Sequence, residues 1–143
     1  MGDMRCILDT DVLIAGLRSP TGASRRIIEM VGRKEITAIA SVNMMMEYEA
    51  VLTRPEHLAA ANLTPEDADI LLNTFASLFA LVTLHFLWRP MLKDPDDEMI
   101  LEAAVNGQAD VIITFNTRHF THAATRFNIA TMKPSEFLRR YTL

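Results

Sequence analysis

Short apolar runs alternate along the chain with longer stretches whose apolar residues recur at a helical period. The run MRCIL stops at the polar triplet Asp9-Thr10-Asp11, which predicts a buried strand over residues 4–9. Comparable runs predict further strands at 36–40, 81–86, 111–115 and 128–132. Helical patterns predict helices at 24–33, 41–54, 64–79 and 94–107, and a short terminal helix that opens at Pro134.

Three of these helices open on residues that cap the free amide groups of a first turn. Ser41 is the predicted N-cap of the helix that runs to Arg54, before Pro55. The segment TPED, from residue 64, combines a capping hydroxyl with a proline at the first helical position and two acids. The segment DPDD, from residue 94, starts another helix in the same way.

Strands separated by helices of ten or more residues indicate parallel βαβ units. The order predicts a three-layer α/β/α sandwich with a central parallel sheet of about five strands. We expect one domain over residues 1–143, because this length is usual for a single domain. Ligands of such sheets bind at the carboxyl ends of the strands, where the strand order reverses. The polar residues after the first and fourth strands are therefore the candidate site.

The apolar segments favour a cytoplasmic protein without a membrane span. The longest apolar stretch in the middle of the chain, Leu78 to Val82, is far shorter than the roughly 20 residues that a spanning helix needs. The first residues contain neither the apolar segment nor the cleavage site of a secretory signal. Cys6, the single cysteine, lies in an apolar run and is expected in the core.

The net charge of -4 is unusual for a protein that binds nucleic acid, because phosphates are normally neutralised by a basic surface. Five acids could sit together near a cation: Asp9, Asp11, Glu47, Asp94 and Asp97. Without them the remaining charge is close to neutral, with eleven arginines against three lysines. That arginine bias suits planar contacts with phosphate.

Local patterns leave the role of each acid open. Asp9 follows the first strand, where a carboxylate is costly without a counter-charge, although it could also cap the next helical turn. Glu47 and Glu49 lie on the two borders of the apolar stripe of their helix, and periodicity does not choose between them. The acids of the DPDD segment would occupy the N-cap, N2 and N3 positions, which capping also explains.

Carboxylates that converge within a few ångströms repel one another unless a cation lies among them. Oxygen ligands indicate a hard ion, Mg²⁺ or Mn²⁺. Zinc is disfavoured because the cysteine is alone and the histidines lack tight ligand spacing. They are His57, His85, His119 and His122, of which only the last two are three apart.

Four segments together resemble PIN-domain proteins, and among them the VapC-like toxin ribonucleases of type II toxin–antitoxin systems. They are ILDTDVLIAGLRSP, MMMEYEAVLTRPEH, KDPDDEMILEAAVNGQADVIITFNTRHF and the closing KPSEFL. Each segment alone is modest, but their order and spacing are specific. The resemblance covers nearly the whole chain.

The resemblance assigns the catalytic and metal-binding acids. The family aspartate at the end of the first strand corresponds to Asp9, with Asp11 where asparagine is usual. The glutamate before a VLxRP stretch corresponds to Glu47, and the acid that heads the helix after the third strand corresponds to Asp97. Asp94 matches a common partner of that acid.

After the fourth strand this chain has Asn116 where many relatives carry another aspartate, which puts a second metal position in doubt. Asn116 and Asp11 are nevertheless expected near the metal. Arg18, Arg118 and His119 are the candidate RNA contacts.

The resemblance further implies Mg²⁺ or Mn²⁺ dependence, cleavage of single-stranded RNA, homodimerisation and neutralisation by a small antitoxin protein. Two apolar segments agree with association, Met44 to Met46 and Leu71 to Val82, because they exceed what a core requires.

Three other functions compete with the nuclease. A phosphatase of the haloacid-dehalogenase kind would use Asp9 and Asp11, but its Ser/Thr-ending strand and its lysine should precede the second acidic pair, whereas Thr114 and Lys133 follow it. A response-regulator-like signalling domain that binds Mg²⁺ would need a lysine after a late strand. The third alternative is an inactive PIN-fold protein that only binds RNA.

Overall fold

The computed structural model describes residues 4–84 and 92–141. Within them, five strands and eight helices follow one another along the chain. The strands are β1 (Arg5–Leu8), β2 (Thr37–Ser41), β3 (Ala80–Val82), β4 (Val111–Ile113) and β5 (Ala130–Met132). The helices are α1 (Thr10–Arg18), α2 (Ala23–Gly32), α3 (Val42–Leu52), α4 (Pro55–Ala61), α5 (Pro65–Leu78), α6 (Pro95–Asn106), α7 (Thr117–Arg126) and α8 (Pro134–Tyr141).

The strands form one parallel sheet in the order β3-β2-β1-β4-β5. Cys6, Ile7 and Leu8 of β1 are all fully buried, although successive side chains of a strand point to opposite faces. Helices therefore cover both faces, and the predicted α/β/α sandwich with five parallel strands is confirmed. β1 lies between β2 and β4, so the strand order reverses beside its carboxyl end.

The predicted helix starts of α3, α5 and α6 are correct. The Ser41 hydroxyl accepts a hydrogen bond from the Met44 amide at 3.2 Å. Thr64 and Asp67 form a reciprocal capping box at the start of α5. Asp94 caps α6 by accepting from the Asp96 amide at 2.9 Å.

The sequence interpretation missed α1, α4 and α7, and the strands that it predicts at 4–9, 111–115 and 128–132 extend beyond β1, β4 and β5. α4 opens with Pro55 at its first position and Glu56 in its first turn, which together form a helix start. The sequence interpretation uses Pro55 only to end the preceding helix. β4 ends at Ile113, two residues before the predicted end. β3 covers Ala80–Val82, and the part of the predicted strand beyond residue 84, like His85, lies outside the described residues.

The core is assembled mostly from β-strand residues and the inner faces of α1, α2, α3, α6 and α7. Cys6 is fully buried, as expected. The methionines of α3 divide between core and surface: Met44 is buried, Met45 is half-buried against the core, and only Met46 is exposed. The expectation that this whole run exceeds the needs of the core was therefore wrong for its first two residues.

None of the described helices is long and apolar enough to cross a membrane.

Gly107, which follows α6, permits a close approach between that helix end and the sheet. A Cβ atom at this position would lie 2.5 Å from Ile39 Cδ1, 2.7 Å from Val82 Cγ2 and 2.9 Å from the Ala103 carbonyl oxygen. Gly32, the last residue of α2, has no atom within 4 Å of such a position. We therefore expect Gly107→Ala to lower the free energy of unfolding by about 1–3 kcal/mol through overpacking.

Urea unfolding followed by circular dichroism measures this effect, with Gly32→Ala as the matched control. Alanine is the better helix former, so the control should be neutral or slightly stabilising. Equal behaviour of the two variants would contradict the close packing at Gly107.

Candidate active site

A cleft of about 300 Å³ opens at the carboxyl ends of β1 and β4, where the strand order reverses. Six acids line it: Asp9, Asp11, Glu47, Asp94, Asp96 and Asp97. They come from the end of β1 and from α1, α3 and the start of α6. The chain thus brings together acids that lie up to 88 residues apart in the sequence, Asp9 and Asp97 being the extremes.

Asp9 stands at the bottom of the cleft and is only 8% exposed. It occupies the N-cap position of α1, but its side chain makes no capping hydrogen bond. Instead, the buried Thr114 hydroxyl donates to Asp9 Oδ2 at 2.7 Å, and the backbone amide of Asn116 donates to Thr114 Oγ1 at 3.0 Å. The structure therefore disfavours the capping interpretation of this carboxylate.

Burial raises the pKa of Asp9 from 3.8 to about 6. The hydrogen bond from Thr114 opposes this shift, while the nearby charges of Asp11 and Asp97 add to it. The carboxylate is thus held in a place where its negative charge is unfavourable without a cation.

α3 directs Glu47, and not Glu49, into the cleft. Tyr48, between them, is buried, and its hydroxyl donates to the Leu8 carbonyl oxygen at the end of β1. The Tyr48 ring also packs edge-on against Phe79, with centroids 5.9 Å apart. This anchor fixes the rotation of α3 and resolves the choice that periodicity left open.

The start of α6 supplies a helix cap and, three residues later, a cleft carboxylate. Asp94 caps the helix, whereas Asp97 Oδ2 lies 2.9 Å from His119 Nδ1 on α7. An ionised carboxylate can only accept, so the imidazole donates in this pair. Burial raises the pKa of Asp97, the charge of Asp94 raises it further, and His119 lowers it.

Asn116 precedes α7 at the mouth of the cleft, as expected for a residue after the fourth strand. Its side-chain Nδ2 lies 3.5 Å from Asp11 Oδ2, at the long end of hydrogen bonding. Asn116 also makes no side-chain cap for α7. Its amide oxygen, as well as the second oxygen of Asp11, can therefore face a ligand.

Basic and imidazole side chains form part of the cleft wall. Arg54 and His57 line it from the start of α4, and His119 lines it from α7. In the described part of the chain, His57 Nδ1 is a buried polar atom without a hydrogen-bond partner. The sequence interpretation names only His119 of these three as a site residue, because it does not predict α4.

The other two candidate RNA contacts lie outside the cleft lining. Arg18 is exposed in the last turn of α1. Arg118 is exposed on α7, where it lines a separate surface groove with His122. Only His119 of the three reaches the cleft itself.

The donors in the cleft fit a hard divalent ion that retains water. Within residues 4–84 and 92–141, no three His, Cys, Asp or Glu side chains are close enough to ligate one ion directly. Mg²⁺ usually keeps several waters and binds through one or two carboxylates, so it does not need such a closed cage. The carboxylate oxygens, and the raised pKa of Asp9 among like charges, suit an ion of this kind.

The raised pKa of Asp9 predicts a pH dependence of stability in metal-free buffer. Between pH 4 and 6 the folded state binds more protons than the unfolded state, so the free energy of unfolding should fall as the pH rises. By pH 7 the loss should reach roughly 3 kcal/mol. Asp9→Asn keeps an oxygen for Thr114 and removes the charge, so this variant should be more stable than wild type above pH 6 and equally stable near pH 3.5.

Urea unfolding of both proteins in EDTA across this pH range tests the prediction. Asp69→Asn, at an exposed position of α5, is the control and should follow the wild type. A wild type that stays as stable as Asp9→Asn at pH 7 would contradict the burial of this charge.

A comparison with curated proteins found no match. A comparison with protein-family models found that residues 5–118, which include β1 to β4 and all the acids of the cleft, match the model described as PIN domain. PIN domains are generally nucleases and typically bind divalent metals. The chain belongs to the PIN domain family.

Proposed function

We propose that this protein is a Mg²⁺- or Mn²⁺-dependent endoribonuclease that cleaves single-stranded RNA. The observation that carries the proposal is the convergence of Asp9, Glu47 and Asp97 in one cleft at the strand-order reversal. Three separate elements contribute these carboxylates, and capping accounts for none of their three side-chain positions in the described structure. Asp9, Glu47 and Asp97 are the proposed catalytic residues.

The proposed metal ligands are Asp9, Glu47, Asp94, Asp97 and Asn116, with Asp11 as a further candidate. When bound, Mg²⁺ or Mn²⁺ supplies Lewis acidity and offsets the charge on the scissile phosphate. The Thr114 hydroxyl orients Asp9 through its hydrogen bond, and the His119 imidazole orients Asp97 in the same way.

The basic side chains in the wall of the cleft support the proposal that the substrate is anionic. A phosphodiester that approaches six acids needs positive charge nearby, and Arg54, which lines the cleft, provides it. Because Nδ1 of His119 faces Asp97, Nε2 is left to accept from a substrate hydroxyl in the neutral ring, or to donate to a phosphate oxygen in the protonated ring. Arg18 and Arg118, outside the cleft, are proposed contacts for flanking nucleotides.

We further propose that the protein is the toxin of a cytoplasmic toxin–antitoxin pair, forms a homodimer and is neutralised by a small antitoxin protein. Exposed apolar side chains support a protein partner: Val42 and Met46 on one side of α3, Ile70 on α5, and Leu81 on the edge strand β3. An antitoxin segment that fills the cleft would block every proposed ligand at once.

The signalling alternative is weakened by the position of Lys133. It would need a lysine after a late strand beside the acids, but Lys133 is exposed after β5 and does not line the cleft. Lys93 lines a neighbouring pocket with Asp94 and Asp97, but it precedes α6. The phosphatase alternative is weakened by the order of the chain, in which Thr114 follows the second group of acids. An inactive RNA-binding PIN protein has the same acids, and activity measurements separate it from the nuclease.

The choice of Glu47 over its neighbour Glu49 gives a matched test of activity. Glu47→Gln should reduce Mg²⁺-dependent cleavage of a single-stranded RNA at least about 100-fold, because an anionic ligand is replaced by a neutral amide. Glu49→Gln, on the same helix but outside the cleft, should keep wild-type activity. Gel separation of a labelled RNA measures both rates.

Cleavage by the wild type should stop in excess EDTA and return with Mg²⁺ or Mn²⁺. Cleavage that persists in EDTA would exclude the metal-dependent mechanism, and equal rates in the two glutamine variants would exclude Glu47 as a catalytic residue.

The amide of Asn116 beside Asp11 gives a test of the metal site by affinity. Asn116→Asp adds a charge at the mouth of the cleft and should tighten Mn²⁺ binding several-fold, whereas Asp11→Asn removes one and should weaken it. Isothermal titration calorimetry measures both. Unchanged affinity in the two variants would place this pair outside the metal site and leave Asp9, Glu47 and Asp97, with Asp94 as a cap.

A further inference from the structure

α7 has an exposed face on which every charged side chain is basic. Its sequence, TRHFTHAATR, contains two arginines, two histidines and no acid. Arg118, His122 and Arg126 recur every four residues and therefore lie on the same side of the helix. Together with Thr121 and Thr125 they line one open groove of about 620 Å³. We call these five residues the α7 ridge.

Local helix stability accounts for only one arginine of the α7 ridge, Arg126 in the last turn, where the macrodipole favours a cation. Arg118 lies in the first turn, where the helix macrodipole disfavours a cation, and the preceding Asn116 makes no side-chain cap. Among the described residues, neither Arg118 nor Arg126 has a carboxylate within ion-pair distance. The hydroxyls of Thr121 and Thr125 already donate to backbone carbonyls of the helix. The arginines thus remain available to an anion.

The α7 ridge begins beside residues that line the cleft. Asn116, directly before α7, lines the cleft, and so does His119, which is next to Arg118 in the chain. The eight-residue step from Arg118 to Arg126 covers about 12 Å at the rise of an α-helix. A stacked strand of about three to four nucleotides has the same length.

We propose that the α7 ridge binds the phosphates of a single-stranded RNA segment that extends out of the cleft. The identification of the ligand as RNA rests on the proposed function. Its negative charge is inferred separately, from the basic side chains of the α7 ridge. The acids of the cleft repel the backbone of a polyanion, so the strand needs basic contacts just beyond them. Arg118 and Arg126 contact two phosphates, and His122 contributes an N–H donor between them.

The test measures binding of a labelled oligouridylate of about twelve nucleotides by fluorescence anisotropy, in EDTA so that no cleavage occurs. The double variant Arg118→Gln/Arg126→Gln should raise the Kd at least about tenfold at low salt. It should also make the plot of log Kd against log salt concentration shallower by about 1.4, because each single-strand phosphate contact contributes about 0.7. The matched control is Arg26→Gln/Arg139→Gln, which removes two exposed arginines from α2 and α8.

The control should bind as the wild type does. An unchanged Kd and salt slope in the ridge variant, an equal loss in the control, or no binding by the wild type would overturn the proposal. Tighter binding of a polyglutamate peptide of the same length would also overturn it and assign the α7 ridge to an acidic protein. If ridge-dependent binding persists in a wild type that never cleaves RNA with Mg²⁺, the nuclease proposal fails and the ridge proposal stands.

Discussion

The hydrogen bond from Thr114 to Asp9 joins residues 105 positions apart and defines the centre of the site. It can form because β1 and β4 are parallel neighbours with Leu8 opposite Ile113, so the next residue of each strand meets at the sheet edge. The Asp9 amide also donates to the Ile113 carbonyl at 3.0 Å. The central strand pair therefore determines where the buried carboxylate lies, and the other acids are arranged around it.

The carboxylates of Asp9 and Asp97 are stabilised in different ways. Asp97 lies in the first turn of α6, where free amides and the macrodipole favour negative charge, and His119 donates to it. Asp9 lies in the sheet edge, and its charge is opposed by burial, with the Thr114 hydroxyl as its side-chain donor. If the proposed ion binds between them, it would offset the cost of burying the Asp9 charge, and its binding would compete with the protonation of Asp9.

Local signals in the sequence were sufficient where a feature depends on neighbouring residues. Capping by Ser41 and Asp94 could be predicted for this reason, and so could the alternation of strands and helices that gives a parallel sheet. Features that depend on distant contacts could not. The rotation of α3 follows from the bond between Tyr48 and Leu8, and the pairing of His119 with Asp97 joins two helices. Neither contact can be inferred from the periodicity of the sequence, and the choice of Glu47 came from the family resemblance.

The net charge of the chain says little about its affinity for a polyanion, because opposite charges are segregated on the surface. Electrostatic interactions are screened over about 8 Å at physiological ionic strength. A phosphate on α7 beside Arg126 is therefore influenced mainly by the basic side chains of that helix, whereas a phosphate in the cleft is influenced by its six acids and Arg54. On the two proposals together, the acids would repel a strand until a divalent ion neutralises them, whereas the arginines of α7 would attract it without the ion. Association with the strand and its entry into the cleft would then be separable steps, of which only the second would depend on the ion.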